Sequence, residues 1–169
     1  MIINTEWCNF GSRHLPVSQF DHIVDRESSN PGIHAFEKMT TGMYLGEIVR
    51  QILMHLVEHR ILTFPIDDDE CLLRTPYHFD TSYMYVCEAD DDLENLEDTR
   101  VVLEEMCKVG ETSLADREIV KKICQFVGYR AAALVGANIA GVVKYMVECG
   151  IGLDSNGDGF AIGIFLVKR

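Results

Sequence analysis

From Ile119 to Met146 the apolar residues keep a helical rhythm: Ile119, Ile123, Phe126, Val127, Leu134, Val135, Val142 and Met146 recur at helix-face spacing. A capping-box pattern, Ser113 to Asp116, stands just ahead of them. Run as one helix at ~1.5 Å per residue, the segment is about 50 Å long. A helix of that length dominates whatever fold contains it. Gly128 is the expected place for a bend. The middle is rich in small residues (Ala131, Ala132, Ala133, Gly136, Ala137, Ala140, Gly141), which let another backbone or a flat ligand come close.

A second helical stretch is expected over residues 33–60. Leu45, Ile48, Val49, Ile52, Leu53 and Leu56 fall on one buried face, with Glu47 and Gln51 on the other. Ahead of it, residues 8–32 read as a long loop with a short helix near Phe20–Val24. Asn30-Pro31-Gly32 is a turn, with Pro31 placed to open the helical stretch. Residues 61–66 read as a short connection, and Asp67 to Glu70 as a solvated acidic turn. Asp90, Asp91 and Asp92 are expected at or just before a helix start, where the helix dipole favours negative charge; Val101, Val102, Leu103 and Met106 give that helix its apolar side. Strands are expected at residues 2–7 and from Phe160 to Val167. No internal repeat or domain linker interrupts the chain.

The 169 residues carry 15 basic against 27 acidic side chains, a net charge of −12. That sign argues against nucleic acid or an anionic membrane surface as partner, while leaving room for a local anion site. No uninterrupted apolar run approaches 18 residues, so no transmembrane segment is expected. The N-terminus lacks the basic and apolar regions of a signal peptide. Six cysteines without a CxxC pair, at a size that needs no disulfide framework, read as reduced thiols of a cytoplasmic protein.

Two local motifs are weaker than they look. His55-Leu56-Val57-Glu58-His59 matches H-x-x-E-H, and on a helix both imidazoles can reach one zinc with Glu58 nearby. A zinc hydrolase needs a further ligand that the sequence does not single out, so ordinary surface residues are the expectation. Asp154 to Gly159 opens like a calcium loop, but position twelve is Phe165 where a bidentate glutamate is needed. A polar turn leading into a strand is the expectation there.

Two stretches are more informative. One is Asn4-Thr5-Glu6-Trp7-Cys8-Asn9-Phe10-Gly11. The other is Asn30-Pro31-Gly32, continuing through Phe36-Glu37-Lys38-Met39 and Thr41-Gly42-Met43-Tyr44-Leu45-Gly46-Glu47-Ile48-Val49-Arg50. Together with Leu73-Arg74-Thr75, Phe79-Asp80-Thr81 and Arg130-Ala131-Ala132, they resemble the large subdomain of eukaryotic hexokinases over nearly the whole chain. The resemblance implies an α/β fold: a helix-rich portion of the large subdomain of the actin-like, ribonuclease H-like kinase fold. Residues 1–169 are then one partial unit, without the small subdomain.

The implied reaction is transfer of the γ-phosphoryl of MgATP to the 6-hydroxyl of a hexose such as glucose, with Mg2+ held mainly through the nucleotide. By resemblance Glu6 and Glu37 orient the hexose, since a carboxylate can accept hydrogen bonds from adjacent hydroxyls. Thr81 resembles the threonine that touches nucleotide phosphate. The family's aspartate base and first phosphate loop have no counterpart in these residues, so no catalytic residue is assigned and the chain alone is expected to lack appreciable kinase activity. An exposed hydrophobic surface is expected where the small subdomain would pack. Two departures stand out: Cys8 replaces the usual glycine after the tryptophan, and Gly163-Ile164-Phe165-Leu166 stands where the family has an Asp-Gly-Ser/Thr hairpin. A non-catalytic helical module binding sugar or a partner is the alternative reading.

Overall fold

The computed structural model describes residues 13–66 and 70–150, and among these the regular structure is helical, with no strand. The expected strands and the acidic residues 67–69 lie outside the described residues.

Helix α1 spans Gln19–Glu27. Ser18 caps it in a full capping box: the Asp21 amide donates to Ser18 Oγ at 3.3 Å, and the Ser18 amide donates to Asp21 Oδ2 at 2.8 Å. The short helix expected near Phe20–Val24 is therefore present and longer. The next helix does not open where Pro31 announced it. Gly32 takes φ +79°, which only the turn can use, and α2 begins later, at Ala35–Thr40. At Thr41 the backbone returns to extended geometry and α3 starts afresh over Gly42–Glu58. The expected single helical stretch is thus two helices.

Helix α3 is the centre of the core. Ile48, Val49 and Leu53 are fully buried, and Phe64, Leu73, Phe79, Leu103, Val120 and Cys124 close around them. Burying each large apolar side chain contributes about 1.5–3 kcal/mol. The apolar stripe is as expected, but Glu47 is not on a solvent face: Tyr44 to Arg50 are all buried. A Schellman motif ends α3, with Ile61 N–H donating to Leu56 O and Arg60 N–H to Val57 O, both at 2.9 Å. Arg60 sits at φ +56° where glycine is usual.

Helix α4 spans Thr81–Ala89, and its N-cap Asp80 accepts from the Ser82 amide at 2.7 Å. Asp90 ends this helix instead of starting the next one. Helix α5 begins five residues after Asp92, at Glu97–Arg100, and continues as a π-helical turn over Val101–Met106. The buried Asp90 carboxylate nonetheless caps it from a distance, accepting from Thr99 N and Oγ1 at 2.8 Å each. Val102 and Leu103 turn inward as expected, while Met106 is exposed.

Helix α6 runs unbroken from Leu114 to Glu148, so Gly128 does not interrupt it. The Ser113–Asp116 capping box forms. Asp116 also accepts from Thr63 N at 2.8 Å and Oγ1 at 2.9 Å, tying the 61–66 connection to the helix start. The chain divides into two compact units, Met1–Ala132 and Ala133–Arg169, so α6 contributes to both. In the first, Val120, Cys124, Val127 and Ala131 enter the core. In the second, the described part is the remaining helix, with Tyr145 and Val147 exposed and Lys144 beside Glu148. Averaged over its best window rather than read as an uninterrupted run, α6 is long and apolar enough to cross a membrane, with mean hydropathy 1.5. Only 11% of that window is buried.

Candidate functional site

Glu37 stands on a small, firmly anchored platform. Lys38 Nζ, though its residue is only 3% exposed, donates to Asp25 Oδ1 at 2.6 Å and to Asn30 O at 2.7 Å. Asp25 also accepts from the Gly32 amide at 3.0 Å. Its residual burial pushes the carboxyl pKa up, but the bonds from Lys38 and Gly32 outweigh that and hold it below its ordinary value. The α1 end, the Asn30–Gly32 turn and α2 are therefore locked together. With Phe36, Lys38 and Met39 turned inward, Glu37 is left facing out, its side chain 42% exposed. His34, held at φ +58°, places Nδ1 3.9 Å from Glu37 Oε2, too far for a hydrogen bond. Glu6, the other expected sugar carboxylate, lies outside the described residues, as does Cys8.

Thr81 is built into a joint. Its hydroxyl donates to Gly42 O and accepts from the Gly46 amide, the latter at 3.1 Å. The start of α4 lies so close to α3 that a Cβ on Gly46 would fall 2.1 Å from Phe79 O. No side chain fits there, which accounts for the glycine inside the Tyr-Leu-Gly-Glu run. The hydroxyl that by resemblance faces phosphate thus has its proton committed to holding two helices together.

One turn along α3, Glu47 and Arg50 form a buried bidentate pair, Arg50 Nε to Oε2 at 2.8 Å and Nη2 to Oε1 at 2.6 Å. Arg50 Nη1 donates to Leu73 O at 3.0 Å, and Tyr77 N donates to Glu47 Oε2 at 2.6 Å. Tyr77 is held at φ +61°. The pair therefore pins both ends of the loop that delivers Asp80 and Thr81. Sequence periodicity missed this role; the signal that held it was the Glu-x-x-Arg spacing itself, which places opposite charges on neighbouring turns.

Arg130, from α6, makes a bidentate pair with Asp21 on α1 at 2.7 and 2.8 Å. Burial raises the Asp21 pKa, but Arg130 and Ser18 outweigh it and hold the carboxyl below its ordinary value. Cys71, Cys87, Cys107 and Cys124 are free and buried in the core. Burial pushes the Cys107 thiol up to about 12, so it stays protonated and inert. The described residues that can hold a metal are His55, Glu58 and His59, at the end of α3.

Glu37 is carried by α2 and Thr81 by α4, and both helices pack against α3. The profile of the hexokinase family matches residues 1–164. The chain is 41% identical over 149 residues to a hexokinase-1 of Nicotiana tabacum, covering 86% of this chain and 29% of that protein. It is 41% identical over 146 residues to hexokinase-1 of Saccharomyces cerevisiae, covering 85% and 29%. A solved structure, the hexokinase from Schistosoma mansoni complexed with glucose, superposes with a TM-score of 0.75 at 38% identity, covering 83% of this chain and 32% of that one. This chain belongs to the hexokinase family. It spans under a third of the length of the relatives it matches. The helix-rich architecture is that of the corresponding part of a hexokinase.

Proposed function

We propose that this chain forms part of the large subdomain of an ATP-dependent hexokinase, and that Glu37 and Glu6 orient the hexose. The observation that carries the reading is Glu37: a half-exposed carboxylate on a helix whose neighbours, Phe36, Lys38 and Met39, are all buried. A rigid acceptor with two oxygens suits a ring bearing adjacent hydroxyls. Support for a hexose comes from the family match and from the glucose complex of the Schistosoma mansoni relative.

Thr81 is the proposed contact to a phosphate of the second substrate, MgATP. That contact requires the hydroxyl to exchange the Gly42 carbonyl for a phosphate oxygen, so nucleotide binding loosens the α3–α4 joint slightly. The 169 residues supply no counterpart of the family's aspartate base, so the isolated chain binds hexose without transferring phosphate. Large exposed apolar side chains such as Phe126 and Tyr129, at 78% and 76% exposure, are the surface proposed to pack against the rest of the enzyme. Buried, unpaired thiols suit a reducing compartment, and the cytoplasm is the proposed location.

Calorimetric titration of the chain with glucose, beside a coupled assay for ADP release, tests the reading. Binding that is lost in Glu37→Gln, without ADP release, is the expected result. No glucose binding at millimolar concentration overturns the sugar-site assignment, and ADP release dependent on hexose overturns the proposed inactivity. Binding unaffected by Glu37→Gln points to the alternative, a sugar-binding module with a different site.

A further inference from the structure

The last turn of α3 gathers three side chains that the sugar and nucleotide readings leave unused. His55 and His59 are one helical turn apart, with ring centroids 4.1 Å from each other. The ligand atoms of His55, Glu58 and His59 all lie within 4.8 Å of one another. Ligands at about 2.0–2.2 Å from a zinc ion sit roughly 3–3.5 Å apart, so modest side-chain rotations close the set.

Three independent details favour a cation here. First, His59 Nδ1 lies 2.8 Å from the His55 carbonyl oxygen. That contact requires the proton on Nδ1 and leaves Nε2 with a free lone pair, the arrangement by which a neighbouring carbonyl fixes a metal-ligating histidine. Second, the cluster stands at the C-terminal end of α3, where the helix dipole favours positive charge. Third, His55 is oriented by the edge-to-face contact with Phe20, at 5.4 Å between ring centroids, while Glu58 and His59 are open to solvent. An ion can therefore enter, and water can complete its coordination.

We propose that His55, Glu58 and His59 form a surface site for a divalent transition-metal ion, with zinc the best match to two imidazoles and one carboxylate. Calcium and magnesium, which take oxygen ligands, do not fit the donor set. A bound ion ties His55, inside the helix, to its cap residue His59, and so clamps the Schellman turn that leads into the Ile61–Ile66 connection.

The test is calorimetric titration of the whole chain with zinc chloride, alongside thermal unfolding with and without the ion. One equivalent bound with micromolar affinity, and a raised melting temperature, are expected. His59→Ala and Glu58→Gln change exposed residues and should leave the fold intact by circular dichroism. The histidine change should weaken zinc at least roughly tenfold, and the glutamine change less. Cys149→Ser, which removes the exposed thiol among the described residues, should change nothing. Binding weaker than millimolar in the parent chain, or affinity kept in His59→Ala, overturns the proposal.

Discussion

Gly46→Ala is the sharpest probe of how this fold holds its candidate site. The added methyl would meet Phe79 O at 2.1 Å, with Asp80 C and Thr81 N both at 3.0 Å. All three are backbone atoms, so no side chain can swing aside. Helix α4 must move off α3, and the Gly46 amide loses its 3.1 Å bond to Thr81 Oγ1. Overpacking costs about 1–3 kcal/mol. The lost hydrogen bond costs about 1 kcal/mol more. Alanine returns roughly 1 kcal/mol through helix propensity. The net expectation is a loss of about 1–3 kcal/mol, or a melting temperature lower by roughly 2–12 °C for a chain of this size. Urea unfolding followed by far-ultraviolet circular dichroism measures it. The internal control is Gly136→Ala, where a Cβ meets nothing within 4 Å. That change should be neutral or stabilising. If Gly46→Ala proves as stable as the parent while Gly136→Ala behaves normally, the close approach of α3 and α4 is not what fixes glycine at this position.

The buried pair should behave very differently when one partner is removed and when both are. Glu47→Gln strands the Arg50 guanidinium at 5% exposure and should cost about 3–5 kcal/mol. Glu47→Met with Arg50→Met should recover much of that, less about 1 kcal/mol for each of the Tyr77 amide and Leu73 carbonyl left unpaired; urea midpoints for the single and double variants decide it. Acid should also destabilise the fold. Asp21, Asp25, Glu104 and Asp116 all have pKa values held below ordinary in the folded state, so their contribution is full above about pH 5, clear of the unfolded values, and is lost as pH falls through the folded values. Urea midpoints at falling pH should drop, and more shallowly in Asp21→Asn, whose parallel loss would show that the Arg130 pair carries no linkage.

The long helix is legible in the sequence because its apolar residues repeat with the helical period and its start carries Ser113 and Asp116 at capping-box spacing. The same logic finds the apolar stripe of α3 and the short helix α1. It fails where a side chain acts across the fold. Glu47 falls on the polar side of α3 by spacing, yet it is buried because Arg50, the Tyr77 amide and Gln51 satisfy it. Asp90 reads as the first residue of a helix start and instead caps that start from nine residues away in sequence. Pro31 reads as a helix opener, but the Asp25–Lys38–Asn30 lock delays α2 to Ala35.

The candidate site divides along the same line. Glu37 is identifiable from the Phe-Glu-Lys-Met run, and its exposure follows from Lys38 and Phe36 turning inward. Thr81 is identifiable from Phe79-Asp80-Thr81, but no local pattern announces that its hydroxyl bridges Gly42 and Gly46. By itself the sequence determined that α1, the body of α3 and α6 are helical and which family the chain resembles, because periodicity, caps and motif runs are properties of neighbouring residues. Only the tertiary structure decided which charges are buried and which glycine must remain a glycine. Those outcomes depend on distances between segments far apart in the chain, set by packing around α3.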